Sequence, residues 1–154
     1  LGFAPLVLST TLEGESRELG GTFAGIAREI RKSDRPIAAP CAVIGGGETT
    51  VRITGDNGLG GPNQEFVLGA ALALDGMENV VVVGFDTDGT DGPTELAGGI
   101  VDGSAMENAR KLNIEIYREL ENHNASKVLE KTSNEIITGA TGTNVNDLKF
   151  MLVN

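Results

Sequence analysis

Asp86, Asp88 and Asp91 stand close together in GFDTDGTDGPTE (84–95), directly after the apolar run NVVVV (79–83). Carboxylates that near one another repel unless a metal, backbone N–H groups, a substrate hydroxyl or water holds them. A calcium loop of the EF-hand kind needs an acid or amide at its third and fifth positions, Gly at the sixth and Glu at the twelfth. Counted from Asp86, the fifth is Thr90, the sixth Asp91 and the twelfth Ala97; counted from Asp88, the third and fifth are Thr90 and Gly92. The calcium reading fails.

Two further polar, glycine-rich stretches share this character. One is GGGETT (45–50) with GLGGPNQE (58–65); the other is TGATGTNVND (138–147). Neither carries the lysine of a phosphate-binding P-loop. GGGETT also departs from the dinucleotide fingerprint, because Thr50 stands where its third small residue belongs. Successive backbone N–H groups in either stretch can still form an anion-binding nest. Across 45–65, 86–103 and 138–148 the one cationic residue is Arg52. Phosphoryl chemistry needs positive charge near the transferred group. These loops therefore suit a hydroxylated substrate or a Mg²⁺ ion, with cations supplied from elsewhere.

The loops need a frame to position them. FAPLVLS reads as a buried strand, and Leu19, Phe23, Ile26, Ala27 and Ile30 fall on one face of a helix that ends before Pro36 and Pro40. CAVIGG is a second strand and TTVRIT a third, joined as a hairpin-like step; GDNGLGG is a loop. Pro62 opens a helix with Phe66, Val67, Ala70, Ala71 and Leu74 on its apolar side. NVVVVGF predicts a strand buried on both faces. A helix follows from Asp102 or Gly103 to Lys111, then short helices over 114–121 and 125–132, and EIITG and LKFMLV close the chain as strands. Strands interleaved with helices give an α/β layered domain with a mixed, mostly parallel sheet. In such sheets ligands bind in the crevice at strand ends, where the three polar stretches are expected.

Bulk properties exclude several classes. At 154 residues the chain is one domain, 1–154, with an ordinary apolar content of 40%. Glycine is enriched, 22 residues, and clusters in the loops rather than spreading as in a linker. A net charge of −10 argues against nucleic-acid and anionic-membrane partners. The single cysteine, Cys41, fits a reducing compartment such as the cytoplasm. His123, in ENHNAS, reads as a solvated helix-end residue, and RKSDR as a solvated helix terminus.

GGGETTVRI, GLGGPNQEFVLGAALAL, GFDTDGTDGPTELAGGIVDG and TGATGTNVNDLKFMLV together resemble the C-terminal MOFRL domain of the glycerate 2-kinase family, over about 41–154. PLVLSTTLEGESRELG resembles the approach to that domain. The resemblance implies transfer of the ATP γ-phosphoryl group to the 2-hydroxyl of D-glycerate with Mg²⁺, in a cleft shared with a larger N-terminal α/β domain that this chain lacks. It makes the chain one part of a kinase site, inactive alone. Some relatives carry a hydroxypyruvate reductase label, and a stand-alone binding module is the other alternative. Pairing of two copies stays open. Many relatives have Arg where this chain has Pro62.

The resemblance assigns candidate roles residue by residue. Asp88 and Asp91 are the candidate catalytic carboxylates, and either is a candidate Mg²⁺ contact. Substrate or nucleotide contacts are expected from Gly46, Gly47, Glu48, Thr49 and Thr50, from Asn63, Gln64 and Glu65, and from Asp86. Thr141, Gly142, Thr143, Asn144 and Asp147 complete the set. For each, shaping a turn is the competing role.

Overall fold

The computed structural model describes residues 2–54 and 58–154, so part of the GDNGLGG loop lies outside the described residues. In chain order the elements are β1 (Ala4–Leu12), α1 (Ser16–Ser33), β2 (Cys41–Gly47), α2 (Pro62–Leu74), β3 (Val80–Asp86), β4 (Gly98–Asp102), α3 (Ala105–Lys111), α4 (Ile116–Glu121), α5 (Ala125–Thr132), β5 (Glu135–Ile136) and β6 (Asp147–Val153). The strands form one sheet in the order β1-β2-β6-β3-β4-β5. A mixed sheet flanked by helices is the expected α/β architecture.

Its pairing is less parallel than the sequence reading had it. Only β1 and β2 pair in parallel; β2–β6, β6–β3, β3–β4 and β4–β5 are antiparallel. β1, β2, β3 and β5 all run one way, but β6 returns from the chain end to lie between β2 and β3. That insertion also explains why TTVRIT is not a strand. β1 flanks β2 on one side and β6 on the other, leaving no free edge, and only Thr50 makes an isolated bridge, to Glu15. The strand missed in the sequence is β4, whose GGIVD begins with two glycines of poor strand propensity.

The core sits between the sheet and the helices. Phe23 and Ile30 of α1, Phe66 and Leu74 of α2, Val43, Val82, Met151 and Val153 are all buried in one cluster. α1 and α2 touch through glycine: a Cβ on Gly20 would lie 2.0 Å from the Phe66 carbonyl oxygen. Beside that contact Phe23 and Phe66 meet edge to face, centroids 5.1 Å apart. β3 is buried on its helix side through Val80 and Val82; on the opposite side Val83 is buried but Val81 and Phe85 are only partly covered. Burial on both faces, expected for NVVVVGF, is thus not complete.

Candidate functional site

Register gathers the polar loops along one edge of the sheet. Gly47 at the end of β2 and Asp86 at the end of β3 both pair with Asp147 at the start of β6. Phe85 pairs with Gly98, and Gly98 with Ile136, so the loop into β6 rises from the same edge. All three stretches singled out in the sequence meet on this crest.

The acidic loop answers its own charge problem with local donors. Asp86 Oδ1 accepts the Asp88 N–H at 3.1 Å, and Asp88 Oδ1 accepts both the N–H and the hydroxyl of Thr90 at 2.9 Å. Asp88 Oδ2 accepts from the Asn144 side-chain amide at 3.2 Å. Thr141 N–H donates to the Asp88 carbonyl at 3.1 Å, and Val145 N–H to the Thr87 hydroxyl at 2.8 Å, bracing the acidic loop against 138–147. Burial raises the Asp86 carboxyl above its ordinary value.

Asp91 is placed differently from its neighbours. Its Oδ1 accepts the Asn63 N–H at 3.1 Å and the Asn63 side-chain amide at 3.0 Å, and Oδ2 accepts the Gln64 N–H at 2.9 Å. It therefore caps α2, a helix whose own N-cap, Gly61, has no side chain to do so. Gly61 is required by that contact, since a Cβ there would lie 2.3 Å from the Asp91 carboxylate. The buried carboxyl is pushed up to about 6 by desolvation, against the pull of the two N–H donors. With both oxygens committed and 1% of its surface exposed, Asp91 is not open to substrate or metal as the sequence reading had it.

Beneath the crest lies a polar layer that motif reading missed. Lys149 is buried, and its Nζ donates to Asp147 Oδ2 at 2.7 Å and to Asn63 Oδ1 at 3.0 Å. Asn63 Nδ2 closes the triangle on Asp147 Oδ1 at 2.7 Å, while Thr49 N–H reaches Asp147 Oδ2 at 3.3 Å. The Lys149 ammonium also stands 5.6 Å from the Phe66 ring centroid. Burial lowers its pKa and Asp147 pulls it back up. Alternation along β6 puts Asp147, Lys149, Met151 and Val153 on one buried face, which is the signal that could have found it.

Gln64 and Glu65 are buried as well, so neither reaches solvent from the first turn of α2. The Gln64 side-chain amide donates to Thr94 Oγ1 at 2.9 Å, and its Oε1 accepts the Ser126 hydroxyl at 2.6 Å. Glu65 Oε1 meets His123 Nδ1 at 2.8 Å, and desolvation raises Glu65 while His123 opposes it. His123 is thus a buried partner of Glu65, not a solvated cap.

What remains open at the crest is Glu48, Thr50, Thr141, Gly142, Thr143 and Asn144, with Gly46, Gly47, Asp86 and Asp88 partly exposed. Thr10, Gly14, Gly47, Glu48, Thr50 and Asn146 border a hollow of about 500 Å³ on the β1–β2 side. Among the described residues no three His, Cys, Asp or Glu side chains converge as a metal site. Asp88, a partly exposed carboxylate, fits an outer contact to hydrated Mg²⁺; Asp91 does not.

The MOFRL family matches residues 41–147, more than half of the chain. The chain belongs to the MOFRL family. This MOFRL chain is 47% identical over 152 residues to the D-glycerate 2-kinase of Thermotoga maritima, covering 99% of itself and 36% of that protein. It is 44% identical to the glycerate 2-kinase of Pyrococcus horikoshii, covering 99% of itself and 34% of that relative. The crystal structure of glycerate kinase from Thermotoga maritima superposes with a TM-score of 0.97 at 46% identity, over 99% of this chain and 37% of that one. The MOFRL chain therefore spans about a third of the length of the relatives it matches.

Proposed function

We propose that this chain is the C-terminal portion of a glycerate 2-kinase and that its crest forms one wall of the active cleft. There the 2-hydroxyl of D-glycerate attacks the γ-phosphorus of ATP, its proton passes by way of Asp88 to water, the bond to the β,γ-bridging oxygen breaks, and ADP leaves. Asp88, fixed by Thr90 and Asn144, accepts a hydrogen bond from the substrate hydroxyl or from water on Mg²⁺. Mg²⁺ supplies charge neutralisation on the phosphates when bound. Glu48, Thr50, Thr141, Thr143 and Asn144 contribute the exposed hydroxyls, amide and carboxylate that face the ligand, beside the backbone of Gly46, Gly47 and Gly142. Asp91, Asn63, Gln64, Glu65, Thr49 and Asp147 hold these loops from below. The buried cysteine suits a cytoplasmic setting.

One observation carries this reading. The register converges three loops of acceptors and hydroxyls on one edge; the buried cation beneath them, Lys149, is spent on Asp147, and the loops themselves carry a single cation, the exposed Arg52. One arginine is too little positive charge for phosphoryl transfer from a triphosphate, so the rest of a longer polypeptide supplies the remainder. Calorimetry with ATP and Mg²⁺ tests this: the chain alone should bind only at about millimolar Kd or weaker and release no ADP with glycerate. Micromolar binding by the chain alone would place the nucleotide site wholly within it and overturn the division.

A further inference from the structure

The helices cover one face of the sheet, and the other face is apolar. In register across five strands, Val7 stands beside Ile44, Ile44 opposite Phe150, Phe150 opposite Val83, and Val83 opposite Ile100. The neighbouring rows pair Leu152 with Val81 and Leu148 with Phe85. None of these side chains joins the core cluster or packs against it. The row is open at its ends, Val7 61% and Ile100 39% exposed, partly exposed at Ile44 and Phe150, and covered only at Val83, 5% exposed. A mainly antiparallel sheet that left this face to water would carry polar side chains there, and a contiguous apolar patch instead marks an interaction surface. The adjoining edge carries the same signal. β1 is an edge strand of nine residues, APLVLSTTL, with no charged side chain to discourage pairing.

We propose that this open face seats an apolar layer from the remaining two thirds of the glycerate-kinase polypeptide, at a surface separate from the crest. The inference rests on the chain being part of such a longer protein, though not on the crest being catalytic. Two observations select this occupant. The glycerate kinase that superposes on this fold devotes only 37% of its chain to it, leaving ample polypeptide for a second layer. A second copy is disfavoured because each chain carries −10, and the open face offers no basic residue to offset that repulsion. The longer protein would then hold this domain by two surfaces of different character. The polar crest exchanges ligands, and the apolar face stays covered.

Hydroxyl-radical footprinting of the 154-residue chain and of the parent-length protein tests this, with sedimentation of the chain alongside. The chain should be monomeric and its Phe85 and Phe150 readily oxidised. In the parent-length protein their oxidation rates should fall by about fivefold or more, as for side chains passing into a packed core. Tyr117, 67% exposed on α4, serves as the internal reference. Equal Phe150 rates in both proteins would overturn the proposal, and so would a dimeric chain in which Phe150 is already protected. Phe150→Asp gives an independent readout: it should lower the Tm of the parent-length protein and leave that of the chain almost unchanged. An equal loss in both would count against the proposal. Protection of Phe150 in a parent-length protein that fails to phosphorylate glycerate would support the docked layer while refuting the kinase reading.

Discussion

Asp91 closes the N-terminus of α2 from 27 residues away, its Oδ2 accepting the Gln64 N–H at 2.9 Å. One carboxylate thereby fixes the helix that carries Asn63, and Asn63 in turn contacts both Asp147 and Lys149. The crest is set by this buried chain of bonds, on which the exposed residues ride.

Stability should depend on the Asp91 proton. Its folded pKa is raised to about 6 from an ordinary 3.8, so the folded state binds the proton more tightly than the unfolded one. The stabilisation is full below about pH 4 and is lost as pH rises to about 6, up to roughly 3 kcal/mol over the window. Urea titrations of wild type and Asp91→Asn at several pH values check this. The variant should lose that part of the slope, and an unchanged pH profile would refute it.

Lys149→Met should be among the most damaging single changes. It strands the Asp147 carboxylate beneath the crest, which typically costs about 3–5 kcal/mol. Adding Asp147→Asn should return part of that loss, because the buried charge is removed with its partner. Denaturant midpoints for the two single variants and the double variant give the coupling. Additive effects would mean that the 2.7 Å contact contributes nothing.

Gly20→Ala sets two effects against each other in α1. Helix propensity favours alanine by about 1 kcal/mol. The new Cβ, however, would lie 2.0 Å from the Phe66 carbonyl oxygen, backbone that cannot give way without separating α1 from α2. The overlap should win, with a net loss of about 2 kcal/mol or more. Thermal denaturation measures it, and a stabilised variant would show that the helices can part cheaply.

Asp88→Asn in the parent-length enzyme should separate function from folding. A lost charge-assisted contact predicts a fall in kcat/KM of about ten- to a hundredfold. Stability should change by less than about 0.5 kcal/mol, since an amide oxygen can still accept from Thr90. Steady-state kinetics and a melting curve on the same sample decide. A loss of stability with unchanged kinetics would leave Asp88 only its turn-shaping bonds.

Periodicity and punctuation determined much of this protein before any fold was known. The apolar face of Phe23, Ala27 and Ile30 is buried in α1, Pro62 occupies the first turn of α2, and the valine run is β3. These are local properties, set by side-chain spacing and backbone preference within one segment. Glycine-rich polar loops next to strands likewise marked the region that the register turned into a crest.

Tertiary structure decided what no segment contains. TTVRIT has strand-like alternation, yet β6 takes the neighbouring place along β2, and GGIVD is a strand because β3 offers it an edge. The three aspartates look equivalent in sequence; only the approach of α2 makes Asp91 a buried cap and leaves Asp88 partly exposed. Alternation with Met151 and Val153 marks Lys149 as a residue of the buried side of β6, but not that Asn63 and Asp147, 86 and 2 residues away, receive its ammonium. Pairing partners, long-range caps and buried charges depend on which distant groups meet in low dielectric, and local spacing carries no record of that meeting.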